Sequence, residues 1–343
     1  MKDEELGAAF LWSRGDGELS VGEMILHKKK ERMEEKMRNL VKLRVLAMVV
    51  GLVLLFSATG HARDMLVNAA WLAKNRGRVI VIDARAPKAY MKGHIPGAVD
   101  IPVGILQTRA DGILYPVKKL EKTLGKDGLT RTSNVAICGT GMEIAYLEYW
   151  MFDCLGMDHV HVINGGIENW KGSLSTTFKT LPPATFKAIW HPEKYATTAY
   201  ILHNLHNPHV VLLDVRTPAE YIGEDVRALR GGHIPGAINM SHVGNFIHGA
   251  SLLKPVSELA RRYAKLEKDK NKTIVTYCQT GTRAANTYFV LKLLGFPHVR
   301  VYDASWIVWG SDERLPVADL SYYNWVSGIT IPIKKLEREQ KAK

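Results

Sequence analysis

The chain carries one series of short motifs twice, in the same order. Asp83-Ala84-Arg85 returns as Asp214-Val215-Arg216. Gly93-His94-Ile95-Pro96-Gly97-Ala98 returns letter for letter as Gly232-His233-Ile234-Pro235-Gly236-Ala237. Cys138-Gly139-Thr140-Gly141 returns as Cys278-Gln279-Thr280-Gly281. The offset grows from 131 residues at the first motif to 140 at the last, mostly between Tyr221 and Gly232, where the first copy has only Met91 and Lys92. A duplication of this length demands two tandem domains built on one plan. The boundaries read as an N-terminal extension over 1–62, a first domain over 63–175 and a linker over 176–192. A second domain then covers 193–330 and a charged tail 331–343.

Hydrophobic patterning gives the plan. Short continuous apolar runs at 79–82, 134–138 and 159–163 predict strands buried on both faces, as in a parallel sheet. The second copy repeats them at 210–213, 273–277 and 298–302. Helical spacing falls at 65–75, 142–155 and 284–295. Strands alternating with helices predict α/β domains, each a mostly parallel sheet flanked by helices. Function in such sheets gathers beyond the carboxyl ends of the strands. Both cysteine motifs and both Asp-x-Arg motifs lie there.

Cys278 is the candidate nucleophile. It ends an apolar run and precedes a tight Gly-bearing turn and a helix start. Inward backbone N–H groups and a helix N-terminus favour a thiolate, the reactive form of cysteine. The loop Gln279, Thr280, Gly281, Thr282 and Arg283 would bind the reacting anion. Arg283 adds charge on the first helical turn, where the helix dipole disfavours a cation kept only for solubility. Arg216 has two open readings: a substrate-binding cation, or half of a buried ion pair with Asp214. Arg230, in the longer second-copy segment, would face the cleft. His94 and His233, among Pro and Gly, read as turn-fixing residues. Cys138 is a possible second site, but Glu143 stands where the second copy has Arg283, and a carboxylate there would repel an anionic donor. Cys154 reads as a buried core thiol.

The three motifs, in this order and twice over, resemble the rhodanese family of sulfurtransferases in its two-domain form, across roughly residues 64–320. The segments Asn164-Gly165-Gly166-Ile167-Glu168-Asn169-Trp170 and Tyr302-Asp303-Ala304-Ser305-Trp306 resemble the family's final strand-to-helix passages. The resemblance implies a sulfurtransferase whose second domain is the main catalytic one. It would move sulfane sulfur from thiosulfate or a persulfide donor to cyanide or a thiol through a Cys278 persulfide. No cofactor is expected, and the histidines show no metal-ligand spacing, so no metal is assigned. Its partners would be the small anionic donor and the thiophilic acceptor. Loops of mercaptopyruvate-using relatives resemble Cys-Gly-Ser-Gly-Val-Thr, which 278–283 does not match. Phosphatase and arsenate reductase relatives place one more residue between Cys and Arg than the four found here. A sulfur or selenium carrier, or a binding module of an exported redox system, stays open, because a carrier needs the same cysteine.

The net charge is +12, of which residues 1–62 hold ten Lys/Arg and nine Asp/Glu, so +11 falls on the remainder. No aromatic-plus-basic motif accompanies it, which argues against nucleic acid and suits a small anion. The apolar stretch 45–56, preceded by Lys and Arg and followed by small residues up to Ala62, predicts a secretory signal and a periplasmic protein. Twelve apolar residues fall short of the roughly 20 of a membrane span. An uncleaved anchor over 45–56 is the alternative. With the signal removed, no stable membrane association is expected. Three cysteines, Cys138, Cys154 and Cys278, do not make a disulfide framework.

Overall fold

A computed structural model describes residues 65–108, 112–141, 143–324 and 328–332, with a few helical positions between 22 and 38. The leader and anchor expectations over 45–56, and the tail 333–343, lie outside the described residues. Among the described residues no helix is long and apolar enough to cross a membrane.

The first repeat builds a five-stranded parallel sheet in the order β1-β5-β4-β2-β3. Its strands are β1 (Leu66–Val67), β2 (Ile80–Asp83), β3 (Val99–Asp100), β4 (Val135–Cys138) and β5 (Val160–Ile163). The second repeat orders β10-β9-β6-β8 in the same sense: β6 (Val210–Asp214), β8 (Ile238–Asn239), β9 (Thr273–Tyr277) and β10 (Val299–Val301). Every pair in both sheets is parallel. The apolar runs mark these strands because both faces are covered. All four residues of β4 are buried, as are the last four of β9. The stretch read as helical from 65 begins instead with β1, and the helix α1 (Ala69–Asn75) follows an Asn68 cap.

A third, antiparallel sheet joins β7 (Gly231–His233) to a C-terminal hairpin, β11 (Ala318–Asn324) and β12 (Ile329–Pro332). Sequence patterning did not show this hairpin. It extends the second domain past the boundary read at 330.

The duplicated motifs fold alike. In each Gly-His-Ile-Pro-Gly-Ala turn the imidazole stacks 3.7 Å from a tyrosine, Tyr90 or Tyr221. Its Nδ1 lies 2.9 Å from that tyrosine's carbonyl. The tyrosine hydroxyl then donates to the carbonyl of Ala98 or Ala237. Both histidines therefore bind the turn to the preceding helix.

The two halves share one core. Helix α4 (Ile144–Cys154) packs on helix α8 (Thr282–Leu293), and both are buried nearly all round. Tyr146 and Tyr149 pack at 5.0 and 4.8 Å from Phe289, and the Tyr288 hydroxyl donates to Asp153 at 2.6 Å. Cys154 is fully buried on α4. The segment read as a linker is strapped to the first half. Ala184 N–H donates to Gly125 O, Ala188 N–H to Glu121 Oε1 and Ile189 N–H to Leu155 O. A side chain at Gly125 would come within 2.7 Å of the Ala184 carbonyl.

The halves also exchange a hydrogen bond in both directions. Leu253 N–H donates to Asn164 Oδ1 at 3.0 Å, and Leu114 N–H to Asp303 Oδ2 at 2.9 Å. Asn164 and Asp303 are equivalent positions, but only one is ionisable. Burial pushes the Asp303 carboxyl up to about 6, against the hydrogen bonds it accepts from Leu114, Tyr195 and Ala304. A folded-state value above the unfolded one means that stability declines as pH rises from about 4 to 6. Asp303→Asn, the residue of the first repeat, should match the parent at pH 4. It should be more stable by about 1–3 kcal/mol at pH 8, measured as urea midpoints across that range.

Candidate active site

β9 delivers Cys278 at its carboxyl end, fully buried beneath the turn that leads into α8. Gly281 makes the turn possible. Its φ is +82°, and a Cβ there would lie 2.9 Å from the Asp303 carbonyl. The turn is fastened to the helix α9 (Ser305–Trp309). Trp306 N–H donates to Cys278 O at 3.0 Å and Ile307 N–H to Gln279 O at 2.9 Å.

Ser305 is the centre of this fastening. Its hydroxyl accepts from the N–H groups of Cys278 and Gly281, each at 3.1 Å, and donates to Tyr302 O at 2.6 Å. To do so Ser305 holds φ at +48°, a left-handed conformation that a β-carbon disfavours. The first repeat has Gly166 there, with φ +54°. A Cβ on Gly166 would meet Gly139 O. The second repeat therefore accepts backbone strain in exchange for a hydroxyl under its cysteine loop. Two of the inward amides that the sequence suggested for an anion are occupied by this hydroxyl.

Three of the arginines are fixed by protein groups. Arg216 is 1% exposed and forks onto Asp214, with a further bond to Gly232 O at 2.7 Å. That is the geometry of the buried ion pair, repeated in the first domain by Arg85, Asp83 and Gly93 O. Arg230 turns away from the cleft. It donates to the carbonyls of Gly310, Leu315, Trp309 and Asp312, closing the C-terminal end of α9. It thus supports Ser305 from behind. Arg283 lies at the mouth and makes two parallel bonds, 2.7 and 2.8 Å, to the buried carboxylate of Glu220. Although burial opposes the charged form, the Arg283 pair holds the Glu220 carboxyl down at about 2.

A cleft of ≈ 440 Å³ opens over the loop, lined by Gln279, Thr280, Thr282, Arg283, Arg227, His242 and Glu143. Arg227 is the cation here with room for a ligand: its side chain is half exposed, with Asp225 at 2.6 Å and Glu220 at 3.8 Å. Gln279 anchors that segment by donating to Arg227 O at 2.8 Å. Glu143 comes from the first domain. The sequence reading did not single out Ser305, Glu220, Arg227 or His242. One signal was legible, since Thr217-Pro218-Ala219-Glu220 has capping-box spacing, and the box forms. Its counterpart in the first repeat ends in Ala89, matched there by the change from Arg283 to Glu143.

The Cys138 loop is built differently. Gly141 N–H donates to the Glu168 carboxylate at 2.9 Å, and the Thr140 hydroxyl donates to the same oxygen. A carboxylate of the chain itself therefore accepts from the loop's hydroxyl and one of its amides. Burial, reinforced by the Asp83 charge, pushes the Cys138 thiol well above the usual range.

The rhodanese-like domain model matches twice, at residues 67–173 and 197–312. A thiosulfate sulfurtransferase of Azotobacter vinelandii is 32% identical over 246 residues, 70% of this chain and 90% of that protein. A sulfur carrier protein of Thermus thermophilus is 31% identical over 288 residues, 76% of this chain and 98% of that protein. Among solved structures, wild-type EanB superposes with a TM-score of 0.67 at 25% identity, over 74% of this chain and 69% of that one.

Ser305 offers a test of the loop geometry. Ser305→Ala leaves two buried amides without an acceptor and keeps the strained φ. The expected loss is about 1–3 kcal/mol. Ser305→Gly loses the same hydroxyl but relieves the strain, so it should be the milder change by about 1 kcal/mol. Urea denaturation of both variants reads this order, which reverses the usual preference for Ala over Gly in a helix.

Proposed function

The chain belongs to the rhodanese family of sulfurtransferases, and on that premise we propose that it moves sulfane sulfur from thiosulfate, or a persulfide donor, to a thiophilic acceptor through Cys278. The observation that carries the reading is the contrast between the two loops. The Cys278 loop floors a cleft edged by the guanidinium groups of Arg283 and Arg227. The Cys138 loop donates to the Glu168 carboxylate.

In the first step the Cys278 thiolate attacks the outer sulfur of thiosulfate. The S–S bond to the sulfonate sulfur breaks, and sulfite leaves with the electron pair. Cys278 then carries a persulfide, Cys–S–S⁻. Arg283 is neutralised by Glu220, so its part is to hold the loop and supply a local positive end to that pair. Arg227, half exposed, is the group suited to the donor's sulfonate oxygens. In the second step an acceptor takes the outer sulfur and Cys278 is restored. Four residues between Cys278 and Arg283 make a tight loop that favours a single sulfur over a phosphate or arsenate. The similarity to a sulfur carrier supports a second reading, in which Cys278 is loaded but turns over slowly.

Incubation with thiosulfate should add about 32 Da, one sulfur, to the parent and to Cys138→Ser but not to Cys278→Ser, by intact-mass spectrometry. Loading that depends on Cys138 would reverse the assignment of the two repeats. Fast loading without turnover on cyanide or thiols would favour the carrier. Arg227→Ala should raise KM for thiosulfate about tenfold with a smaller change in kcat, read from steady-state sulfite release.

A further inference from the structure

His242 stands at the same cleft and takes no part in the steps above. It opens the turn after β8, where its N–H donates to Val215 O at 2.9 Å. Its ring is 5% exposed, and neither ring nitrogen has an aligned hydrogen bond. Nε2 lies 3.0 Å from Glu143 Oε1 of the first domain, close but off the N–H axis. Nδ1 is buried with no partner, and a buried ring nitrogen left so is costly unless a ligand completes it. Gln279 Oε1, also on the cleft, is likewise buried without a partner.

The first repeat has no such couple. Val103 occupies the place of His242, and its N–H donates to Ala84 O as that of His242 does to Val215 O. The couple therefore belongs to the Cys278 cleft and not to the repeated scaffold. The Gln279 amide oxygen and the unprotonated ring nitrogen of His242 can each accept from a ligand that brings a hydrogen-bond donor. A sulfonate or cyanide anion brings none.

We propose that His242 is the base that deprotonates a thiol acceptor at the Cys278 persulfide, with Glu143 positioning the ring. The proposal rests on the sulfur-transfer reading of Cys278. His242 takes the proton of R–SH. The thiolate attacks the outer sulfur of Cys278–S–S⁻, the RS–S bond forms, the S–S bond to Cys278 breaks, and R–S–S⁻ departs while the Cys278 sulfur leaves as thiolate. The sulfane sulfur changes hands with no external oxidant or reductant. Glu143 lies 3.0 Å from Nε2, and the charged groups of Arg283 and Arg227 line the same cleft. His242 is a catalytic residue for the acceptor step, and the natural acceptor is a thiol.

The test separates the half-reactions. Parent, His242→Gln, His242→Val and Glu143→Gln are loaded with thiosulfate, and loading is read by mass. Loaded protein is then discharged to 2-mercaptoethanol, which must lose a proton, or to sulfite, which above neutral pH has none to lose. His242→Gln should slow discharge to the thiol about 30-fold or more at pH 8, where 2-mercaptoethanol is still largely protonated and sulfite is not. Its loading and its discharge to sulfite should stay within about twofold of the parent. The thiol defect should shrink as rising pH supplies thiolate from solution, and Glu143→Gln should show a smaller defect of the same kind. Equal losses on both acceptors, or no loss on either, would reduce the couple to an ion pair between domains and overturn the proposal. His242→Val carries the first repeat's own residue and decides the matter if His242→Gln is unstable. Failure of the parent to load would instead overturn the sulfur-transfer reading beneath it.

Discussion

The hydroxyl of Ser305 holds the reactive half of this protein together. It binds two amides of the Cys278 turn and a carbonyl at the end of the last strand of that sheet. Everything around it maintains that arrangement. Gly281 lets the turn pass against Asp303. Arg230 closes the far end of the helix that begins with Ser305. The left-handed conformation of Ser305 is the cost, about 1–2 kcal/mol for a residue with a β-carbon. A hydroxyl at this place fixes the loop before any ligand arrives, so binding need not spend free energy on ordering it.

Duplication supplied two loops, and a small set of exchanges set them apart. Arg283 with Glu220 became Glu143 with Ala89. Ser305 faces Gly166, His242 faces Val103, and Ile307 faces Glu168. The exchanges are mutually dependent. Glu220 buried without Arg283 would keep only Thr217 and the more distant Arg227 against its charge, a loss of several kcal/mol. Glu143 is released from any loop pair of its own and reaches into the other domain's cleft. The first domain thus serves the second with one side chain while its own loop donates to Glu168.

The strands and the repeat were legible because a strand buried on both faces leaves a continuous apolar run, and β4, β5, β6 and β9 begin within a residue of the positions read from the sequence. Arg216 was half legible. Its partner Asp214 is two residues away, but nothing local says whether the guanidinium faces the pair or a ligand. Arg230 was not legible, because its partners are carbonyls about eighty residues further on, and carbonyls leave no mark in a sequence. Ser305 and His242 were hidden for a related reason. The first acts through a backbone conformation and the second through a contact across domains.

The core that runs through both halves decides how this chain breaks. Tyr149 lies against Phe289 and Tyr288 reaches Asp153, so each repeat keeps water from the other's longest helix. A protease cut in the strapped segment between the repeats would not release two bodies, since the fragments would stay mated along α4 and α8. For the same reason neither repeat could be exchanged for an unrelated copy without its mating face. The pair has become a single unit of inheritance, despite its origin as two.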